Sequence, residues 1–336
     1  MPDLTTPDPV FLMCPPEHFA IPEPPPGAGH ANEMSVRGRE VFARDPGGFR
    51  KRAIEKWERY RAILERDLGA DIRLLEPDPA LPDQVFAADA SISLTWTGED
   101  AQEQSAALLS RFTYAERQPE AELHAEAISR FAPDRRVRRA AFPIEGCGDN
   151  VYDPKRDLFW SGCTPNPGRA NAGEGRSDAR AHAQLEALTG VRVESLEVRS
   201  PFFHLDTALA VLPFGHLLVC REGLAPRAYE TLRDRAFEPF GLDPETHFIE
   251  VSKADAERYA CNVVARGAIV VMPMVSDDLL GTIRDRGYEP VATDFTEFIH
   301  SGGGPHCLVN HLNERRSPAR FTGPEAPERR ATARRE

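Results

Sequence analysis

The chain contains 336 residues, and its 53 acidic side chains outnumber 41 basic ones to give a formal net charge of −12. This charge argues against sequence-independent nucleic-acid binding, which needs a basic face, and no run of about 18 apolar residues could span a membrane. Six cysteines without a Cys-x-x-Cys pair argue against a disulfide scaffold or a zinc ribbon, so we expect a cytoplasmic protein with reduced thiols.

In chain order, the first predicted segment is a polar, proline-rich N-terminus over residues 1–9, which we expect to be disordered and which lacks the pattern of a signal peptide. We assign residues 10–313 to a single folded domain. Apolar spacing predicts four helices in it, at residues 50–68, 101–111, 120–131 and 179–188. Asp178 is the expected N-cap of the last helix, and Gly190 is its expected end.

Short apolar runs between these helices indicate β-strands. They cover residues 91–96, 151–152, 158–160, 208–212, 217–220 and 268–272. Turn-rich links at 153–157 and 213–216 join two pairs of runs into expected hairpins. Hairpins interleaved with helices predict a mixed α/β fold rather than a parallel doubly wound sheet. The last segment, residues 314–336, holds seven arginines and almost nothing apolar, which predicts a solvated, disordered tail.

Residues 301–308 read Ser-Gly-Gly-Gly-Pro-His-Cys-Leu, a constrained loop that carries a cysteine at position 307. The backbone N–H groups of such a loop can surround a thiol at the mouth of a pocket. Cys307 is therefore a candidate nucleophile, although an isolated cysteine is more often a small buried apolar residue. Adjacent side chains diverge, so we expect the general base to come from elsewhere than His306.

The best candidate base is His204, in the sequence Phe-Phe-His-Leu-Asp. If this segment is a strand, His204 and Asp206 point to the same side, and the carboxylate orients the imidazole. Four more acids lie beside apolar residues or glycines, where a carboxylate is costly unless it meets a cation: Asp83, Asp89, Glu145 and Asp149. A surface ion pair and ordinary loop acids are the alternatives. Together these groups predict a carboxylate-lined pocket for a cation, with a cysteine nucleophile.

Other kinds of site are not indicated. The chain has no dinucleotide-binding glycine motif, no phosphate-binding loop and no Gly-x-Ser-x-Gly elbow. Cys14 with His18, or His306 with Cys307, lacks partners at metal-ligand spacing. We therefore expect neither a cofactor nor a bound metal.

Several segments, in the correct order, resemble the guanidine-modifying superfamily, which includes arginine deiminases, dimethylarginine dimethylaminohydrolases, arginine dihydrolases and amidinotransferases. The segments are residues 13–19, 82–89, 145–149, 203–206, 260–264 and 302–307. The first resembles the opening strand of the bacterial hydrolase branch. The likeness extends from Phe11 to about Leu312, which is nearly all of the predicted domain.

This resemblance implies a five-bladed, pseudo-symmetric α/β propeller of ββαβ units with the active site in its central channel. It implies that Cys307 attacks the guanidinium carbon, that His204 transfers the protons and that Glu145 orients His204. It also implies a substrate-binding set: Asp89 and Asp206 for the guanidinium, Asp83 for the α-amino group, Asp149 in the channel lining, and Arg176 for the carboxylate, with Arg169 in reserve.

Departures from the family pattern bear on the substrate. Asp206 is typical of arginine deiminases and amidinotransferases, and Ala88 replaces an acid that is common in dimethylarginine hydrolases, so an unsubstituted guanidinium is favoured. The dihydrolase branch tends to have Asn at the place of Asp89, which argues against double hydrolysis. Segments 22–34 and 164–175 differ from the family where substrate is recognised, so an arginine-like compound is a candidate beside free arginine.

Three functions are compatible with these residues. The first is a cysteine-dependent hydrolase of the guanidino group, acting through a covalent S-amidino intermediate. The second is an amidinotransferase that passes the amidino group to an amine acceptor. The third is a catalytically silent binding protein, against which the retained Cys307, His204, Glu145 and Asp89 argue. We expect a small guanidino compound as partner, with neither nucleic acid nor membrane, and the family suggests a homodimer.

Overall fold

The computed structural model of the chain describes residues 7–23, 32–98, 100–167 and 175–316. Within these ranges the chain forms fifteen short strands and ten α-helices. The strands are β1 (Val10–Met13), β2 (Asp71–Leu74), β3 (Ser91–Thr97), β4 (Glu103–Leu109), β5 (Arg136–Arg139), β6 (Asn150–Asp153), β7 (Leu158–Cys163), β8 (Arg192–Glu197), β9 (Leu209–Val211), β10 (Leu217–Val219), β11 (Phe248–Glu250), β12 (Val264–Arg266), β13 (Ile269–Pro273), β14 (Glu289–Thr293) and β15 (Asn310–His311).

The helices vary from single turns to one of six turns. They are α1 (Glu33–Arg44), α2 (Pro46–Asp67), α3 (Gln118–Phe131), α4 (Gly146–Asp149), α5 (Ala179–Thr189), α6 (Pro226–Phe237), α7 (Pro244–His247), α8 (Lys253–Ala256), α9 (Asp277–Asp285) and α10 (Thr296–Ile299). Helices α2, α3 and α5 confirm three of the four predicted helices. Asp178 caps α5, and Gly190 ends it in the left-handed conformation with φ of 68°, as the sequence predicted.

The strands form five three-stranded sheets with one shared connectivity. In one sheet, β3 and β4 pair antiparallel, and β5 returns parallel to β4 after helix α3. The sheets of β6–β8, β9–β11 and β12–β14 repeat this order with α5, α6 and α9 as the crossover helices. The predicted hairpins are therefore confirmed, and each sheet with its helix is a ββαβ unit.

The fifth sheet joins the two ends of the chain. Strand β15 pairs antiparallel with β1, and β2 lies parallel to β1 after helices α1 and α2. Its register places Phe11 opposite His311 and Leu12 opposite Asn310. Strand β15, the last strand of the chain, is therefore the first strand of this unit, and the N-terminal elements β1, α1, α2 and β2 complete it. These five units confirm the predicted five-bladed α/β propeller.

The apolar core lies between the sheets and the outer helices. On α2, Trp57, Tyr60 and Leu64 are almost fully buried, and they share one core cluster with Phe11 and Met13 of β1. Burial of such large side chains is the main stabilising contribution to the fold. No helix within the described ranges is both long and apolar enough to cross a membrane.

The prediction of a helix over residues 101–111 is wrong, because strand β4 occupies most of this segment. Its alanines and glutamines favour a helix locally, but it pairs along its full length with β3, from Ser91 opposite Leu109 to Thr97 opposite Glu103. Residues 106–109 are all buried, with Ala107 and Leu109 in one apolar cluster and Leu108 in another. Tertiary context therefore outweighed local propensity.

Both segments predicted to be disordered, residues 1–9 and 314–336, include residues that are bonded to the folded domain. At the C-terminus, the Thr95 N–H donates to the Glu314 carbonyl, and Arg316 forms an ion pair with Asp157 at 2.7 Å. At the N-terminus, the Asp8 carbonyl accepts a hydrogen bond of 2.8 Å from Asn313. Backbone pairing beside β3 and β1 holds these residues to the domain. Residues 1–6 and 317–336, which share the prediction, lie outside the described ranges.

Candidate active site

The candidate site lies where the first strands of the five units begin. A short segment precedes each of these strands, β3, β6, β9, β12 and β15, and each segment contributes polar side chains. The contributed residues are Asp89, Glu145, His204 with Asp206, Asn262, and Cys307. The propeller arranges the five strand starts around one axis, so residues far apart in sequence meet there.

A cavity of about 400 Å³ opens at this end of the channel, and we call it the front cavity. Six of the residues that line it matter to the chemistry: Cys307, His204, Asp89, Asp83, Arg176 and Arg117. Its size suits a small organic ligand. The structure therefore brings most of the predicted site residues into one pocket.

The loop that carries Cys307 is held in place from two sides. The buried Tyr60 hydroxyl donates to the Pro305 carbonyl at 2.8 Å. The Asn262 Oδ1 atom accepts from the backbone N–H of His306 at 2.8 Å and from that of Cys307 at 3.3 Å. Asn262 Nδ2 also donates to Cys307 Sγ at 3.1 Å. Asn262 thus orients the thiol and supplies a donor that stabilises its anion.

The surroundings of Cys307 favour its neutral thiol form. Burial raises its pKa well above the ordinary value, and the carboxylates of Asp206 and Asp89 raise it further, while the hydrogen bond from Asn262 lowers it only partly. The sulfur lies 3.3 Å from Asp206 Oδ2, to which it can donate its proton. A cation placed beside these carboxylates would remove much of the penalty on the thiolate.

His204 is held by carboxylates at both ring nitrogens. Its Nε2 atom lies 2.8 Å from Glu145 Oε2, and its Nδ1 atom lies 3.6 Å from Asp89 Oδ1. Burial alone would lower the pKa of His204, but Asp89, Asp149 and Glu145 raise it to about 9. The ring is therefore an imidazolium at neutral pH and can donate a proton.

Glu145 stays ionised despite complete burial. Burial favours its neutral form, but Arg176 and His204 outweigh that effect and lower its pKa to about 2. Its second oxygen, Oε1, accepts from the backbone N–H of Thr113 at 2.9 Å. Glu145 therefore orients His204 and, together with Asp89 and Asp149, favours its imidazolium form.

The predicted pairing of His204 with Asp206 on one strand is wrong. Residues 205–207 form a 3₁₀ turn that begins after His204, so the two side chains do not share a strand face. Asp206 Oδ2 instead lies 2.9 Å from His306 Nδ1 and 3.3 Å from Cys307 Sγ. Asp206 therefore contacts the nucleophile, and the carboxylate that is hydrogen-bonded to His204 is that of Glu145, the residue implied by the family resemblance.

Two carboxylate oxygens in the site have no hydrogen-bond partner within the described part of the chain. They are Asp89 Oδ1 and Asp206 Oδ1, and both are fully buried. Leaving such an acceptor unpaired costs about 1–3 kcal/mol, or more when it is charged. A ligand that donates hydrogen bonds to these two oxygens would therefore bind favourably.

Two arginines border the front cavity, and the sequence analysis identified one of them. Arg176 Nη1 lies 3.4 Å from Glu145 Oε2, and its guanidinium lies over the rings of Tyr114 and Phe203, with centroid distances of 4.7 and 4.8 Å. The reserve candidate, Arg169, lies outside the described residues. Stacking and the ion pair hold Arg176 rigidly at the cavity wall.

Arg117 also lines the front cavity, and it was not among the residues predicted from the sequence. Its Nη1 atom binds Asp89 Oδ2 at 2.9 Å, and its other nitrogens bind Glu120 at 2.7 and 2.8 Å. Arg117 thus holds one oxygen of Asp89, and the other oxygen, Oδ1, lies beside His204. The Arg–Glu spacing of three residues was the only local signal, and it is too common to identify a site.

The remaining two predicted acids differ in position. Asp83 lines the front cavity and is partly exposed, and burial raises its pKa. Asp149 is fully buried and does not line that cavity; Ser177 Oγ donates to it at 2.5 Å and the Leu205 N–H at 3.0 Å. Both oxygens of Asp149 accept hydrogen bonds from the protein, so Asp149 positions its neighbours and has no oxygen left for a substrate.

No group of three potential metal ligands occurs among the described residues.

Comparison with known proteins gives relatives with named activities, although no protein-family model matches the chain. Over 308 residues, 90% of this chain, the sequence is 30% identical to the bifunctional arginine dihydrolase/ornithine cyclodeaminase AgrE of Nostoc sp.. It is 32% identical over 263 residues to the N(G),N(G)-dimethylarginine dimethylaminohydrolase of Mycobacterium tuberculosis, covering 78% of this chain and 76% of that protein.

A solved structure supports the same relationship. The N-terminal domain of ArgZ, crystallised with a covalently bound reaction intermediate, aligns with a TM-score of 0.74 and 26% identity. The alignment covers 93% of this chain and 100% of that domain.

The propeller and the buried cysteine, histidine and carboxylates define a class of proteins that modify the guanidino group. The chain belongs to this guanidine-modifying superfamily, together with the dimethylarginine dimethylaminohydrolases and the arginine dihydrolases. It spans 38% of the length of the bifunctional relatives AgrE and ArgZ.

Proposed function

We propose that this protein hydrolyses the guanidino group of arginine, or of an arginine-like compound, through a covalent S-amidino intermediate on Cys307. The observation that carries the proposal is a pair of buried carboxylate oxygens, Asp89 Oδ1 and Asp206 Oδ1, which accept no hydrogen bond from the described residues and lie beside a thiol and an imidazolium. A planar guanidinium offers several N–H donors to such acceptors, and its positive charge complements the carboxylates around it.

Binding of the cation prepares the nucleophile. With its N–H groups on Asp89 and Asp206, the guanidinium would compensate the charges that raise the pKa of Cys307. The thiol then releases its proton to solvent, and the thiolate lies beside the guanidinium carbon in a fixed orientation. Holding two reactants together in this way lowers the barrier to an attack that is slow in water.

The first chemical step forms the S–C bond and breaks a C–N bond. The thiolate of Cys307 adds to the guanidinium carbon, His204 gives its proton to the departing nitrogen, and the amine leaves as a neutral molecule. The amidino group remains on sulfur as a cationic thiouronium. Glu145, ionised beside His204, stabilises the imidazolium before the transfer.

The second chemical step releases the product. Neutral His204 takes a proton from a water molecule, and the resulting hydroxide adds to the amidino carbon. The C–S bond then breaks as the added hydroxyl group gives its proton to the departing sulfur, which regenerates the Cys307 thiol. The product is a ureido compound. The same imidazole therefore acts first as acid and then as base, and the enzyme returns to its starting protonation state.

The far end of the front cavity suits the amino-acid end of arginine. Arg176 can meet a carboxylate, and Asp83 at the rim can meet an ammonium group. The carboxylates of Asp89 and Asp206 argue for a single hydrolysis, because the neutral ureido product would turn a carbonyl oxygen toward groups that can only accept hydrogen bonds.

The six cysteines are all unpaired, which supports a reducing compartment such as the cytoplasm.

The proposal is tested by product analysis. The protein is incubated with L-arginine, with agmatine and with N(G),N(G)-dimethylarginine, and the ureido product and released amine are quantified, with Cys307→Ser as the control. We expect one ammonia per ureido product with arginine and no turnover in the variant. Release of ornithine only when glycine or lysine is added would identify an amidinotransferase instead. No turnover of any guanidino compound would refute the proposal.

A further inference from the structure

A second cavity, of about 150 Å³, lies in the channel beyond the nucleophile, and we call it the rear cavity. All five first strands line it, through residues such as Ile92 on β3, Val151 on β6, Ala210 on β9, Ala265 on β12 and His311 on β15. The hairpin turns at Pro154 and Pro213 lie at its far end. The front cavity lies at the starts of these strands, so the two cavities occupy opposite ends of one channel.

The wall between the rear cavity and the nucleophile is a single layer of side chains. Asp206 and His306 both line the rear cavity. Asp206 Oδ2 also lies 3.3 Å from Cys307 Sγ and 2.9 Å from His306 Nδ1. Movement of this one pair would connect the rear cavity with the reacting sulfur.

The proposed reaction moves two small molecules to and from the sulfur while the substrate is bound. When ammonia is the first product, the rest of the arginine stays bound to Cys307 as the thiouronium and remains in the front cavity. Ammonia must leave and water must enter during that interval. A route through the front cavity has to pass the bound amino-acid tail, whereas a route through the rear cavity does not.

We propose that the rear cavity is the passage for these two small molecules. Ammonia leaves through it after the C–N bond breaks, and the water that hydrolyses the thiouronium enters through it. This inference rests on the proposed function. One water molecule occupies about 30 Å³ of liquid volume, so the rear cavity has room for several waters but not for a second amino-acid substrate.

The lining of the rear cavity agrees with this role. Most of its strand residues are apolar, while His306, His311 and Glu314 supply hydrogen-bonding groups at intervals. His311 Nδ1 lies 3.3 Å from Glu314 Oε2, so these two groups partly satisfy each other. Such a wall lets neutral water and ammonia pass while it offers an ionised amino acid no set of matching partners.

The inference is tested by narrowing the rear cavity. Val151 and Ala265 line it and are only partly buried, so Val151→Phe and Ala265→Phe can place a ring in the passage. Val151→Thr and Ala265→Ser are matched controls that keep it open. Single-turnover experiments with arginine measure the rate of hydrolysis, and mass analysis of acid-quenched samples measures the fraction of Cys307 that carries the amidino adduct.

We expect both phenylalanine variants to lower kcat by about tenfold, to lower KM in parallel and to increase the adduct on Cys307, while the controls match the original protein. Unchanged kcat and unchanged adduct in folded phenylalanine variants would overturn the passage and leave the hydrolase intact. If the unaltered protein turns over no guanidino compound, the proposed function fails instead, and the passage fails with it.

Discussion

At the scale of single residues, the charge of His204 is set by its neighbours. Burial alone would make the ring neutral, yet Asp89, Asp149 and Glu145 raise its pKa to about 9. The imidazolium is then the form present below that pH, and it is lost as the pH rises. The acid needed for the first chemical step is therefore available at neutral pH.

Glu145→Gln is predicted to move the alkaline limit of activity to lower pH. The substitution keeps the shape of the side chain but removes the charge that stabilises the imidazolium, so the pKa of His204 falls. In the unaltered protein we expect kcat to decline as the pH rises through about 9, and in the variant the decline begins earlier. Glu230→Gln, on the exposed face of α6, is the control. Identical pH profiles for all three proteins would contradict the role of Glu145.

Asn262→Ala is predicted to slow the attack by Cys307. The variant loses the Nδ2 donor that lies 3.1 Å from the sulfur, and a hydrogen bond to a charged group contributes about 1.5–3 kcal/mol. We expect kcat/KM to fall about ten- to hundredfold. Inactivation by iodoacetamide should also shift to higher pH because the thiol pKa rises. An unshifted inactivation profile would show that the amide does not act on the sulfur.

The sequence allowed some of these residues to be identified and hid others. Cys307 and His204 lie in unusual local patterns, a triple glycine and a Phe-Phe-His-Leu-Asp run, which made them candidates. Arg117 and Asn262 lie in ordinary patterns, and only their three-dimensional neighbours reveal their roles. The local pattern pointed to Asp206 as the partner of His204, whereas the family resemblance pointed to Glu145, which lies 59 positions away along the chain and is the partner in the structure.

At the scale of elements, the short helix α4 brings a carboxylate and an imidazole together. Gly148, within α4, lies against both side chains: a Cβ atom there would lie 2.5 Å from Asp89 Oδ1 and 2.8 Å from His204 Nδ1. Only glycine leaves room for this approach. The Gly-Cys-Gly-Asp turn is thus needed for packing inside the site.

Gly148→Ala is predicted to reduce activity far more than stability. The added methyl group must displace Asp89 or His204, and a misplacement of about 1 Å near the reacting groups can cost a hundredfold in rate. Gly281→Ala is the control, because nothing lies within 4 Å of the new Cβ in helix α9. That variant should gain up to about 1 kcal/mol of stability and keep its activity. Full activity in Gly148→Ala would contradict the tight packing.

The same scale shows why some elements were predictable. Hairpins and capped helices can be predicted from local turn and capping residues, such as Asp178 and Gly190 at the two ends of α5. Strand β4 does not, because its alanines and leucines are buried by β3 rather than by any pattern of their own. Local sequence therefore predicted elements with their own boundary signals and failed where pairing decided the structure.

At the scale of the whole molecule, neighbouring units are joined by buried polar contacts as well as by the core. Arg156, in the β6–β7 turn, binds Asp153 Oδ2 at 2.8 Å, and both side chains are fully buried. It also donates to the Ala236 carbonyl at 2.8 Å and to the Gly215 carbonyl at 3.0 Å, both in the next unit. One arginine thus connects two units of the propeller.

Arg156→Leu is predicted to destabilise the fold without altering the chemistry. Removing one partner of a buried ion pair leaves an uncompensated charge and costs about 3–5 kcal/mol. Urea unfolding measures this loss. Arg180→Leu, whose side chain is 66% exposed in its pair with Asp178, should cost no more than about 1 kcal/mol. Equal losses in the two variants would show that the buried pair does not join the units.

The net charge of −12 also has a consequence at this scale. An acidic molecule attracts a cationic substrate toward its surface, and that attraction weakens as salt is added. The specific contribution comes from few groups, chiefly Asp89 and Asp206, because their free oxygens are buried where screening is small. Surface charge is therefore expected to affect the rate at which substrate associates, and the charges in the channel are expected to affect the rate of the chemical steps.

The covalent intermediate on Cys307 is the most direct test of the account. Arginine turnover is stopped in acid within milliseconds, and the peptide that contains Cys307 is analysed by mass spectrometry. We predict an S-amidino adduct on Cys307 that appears and decays at rates consistent with turnover, and neither adduct nor product in Cys307→Ser. Turnover with Cys307 unmodified throughout, or turnover retained in Cys307→Ser, would contradict it.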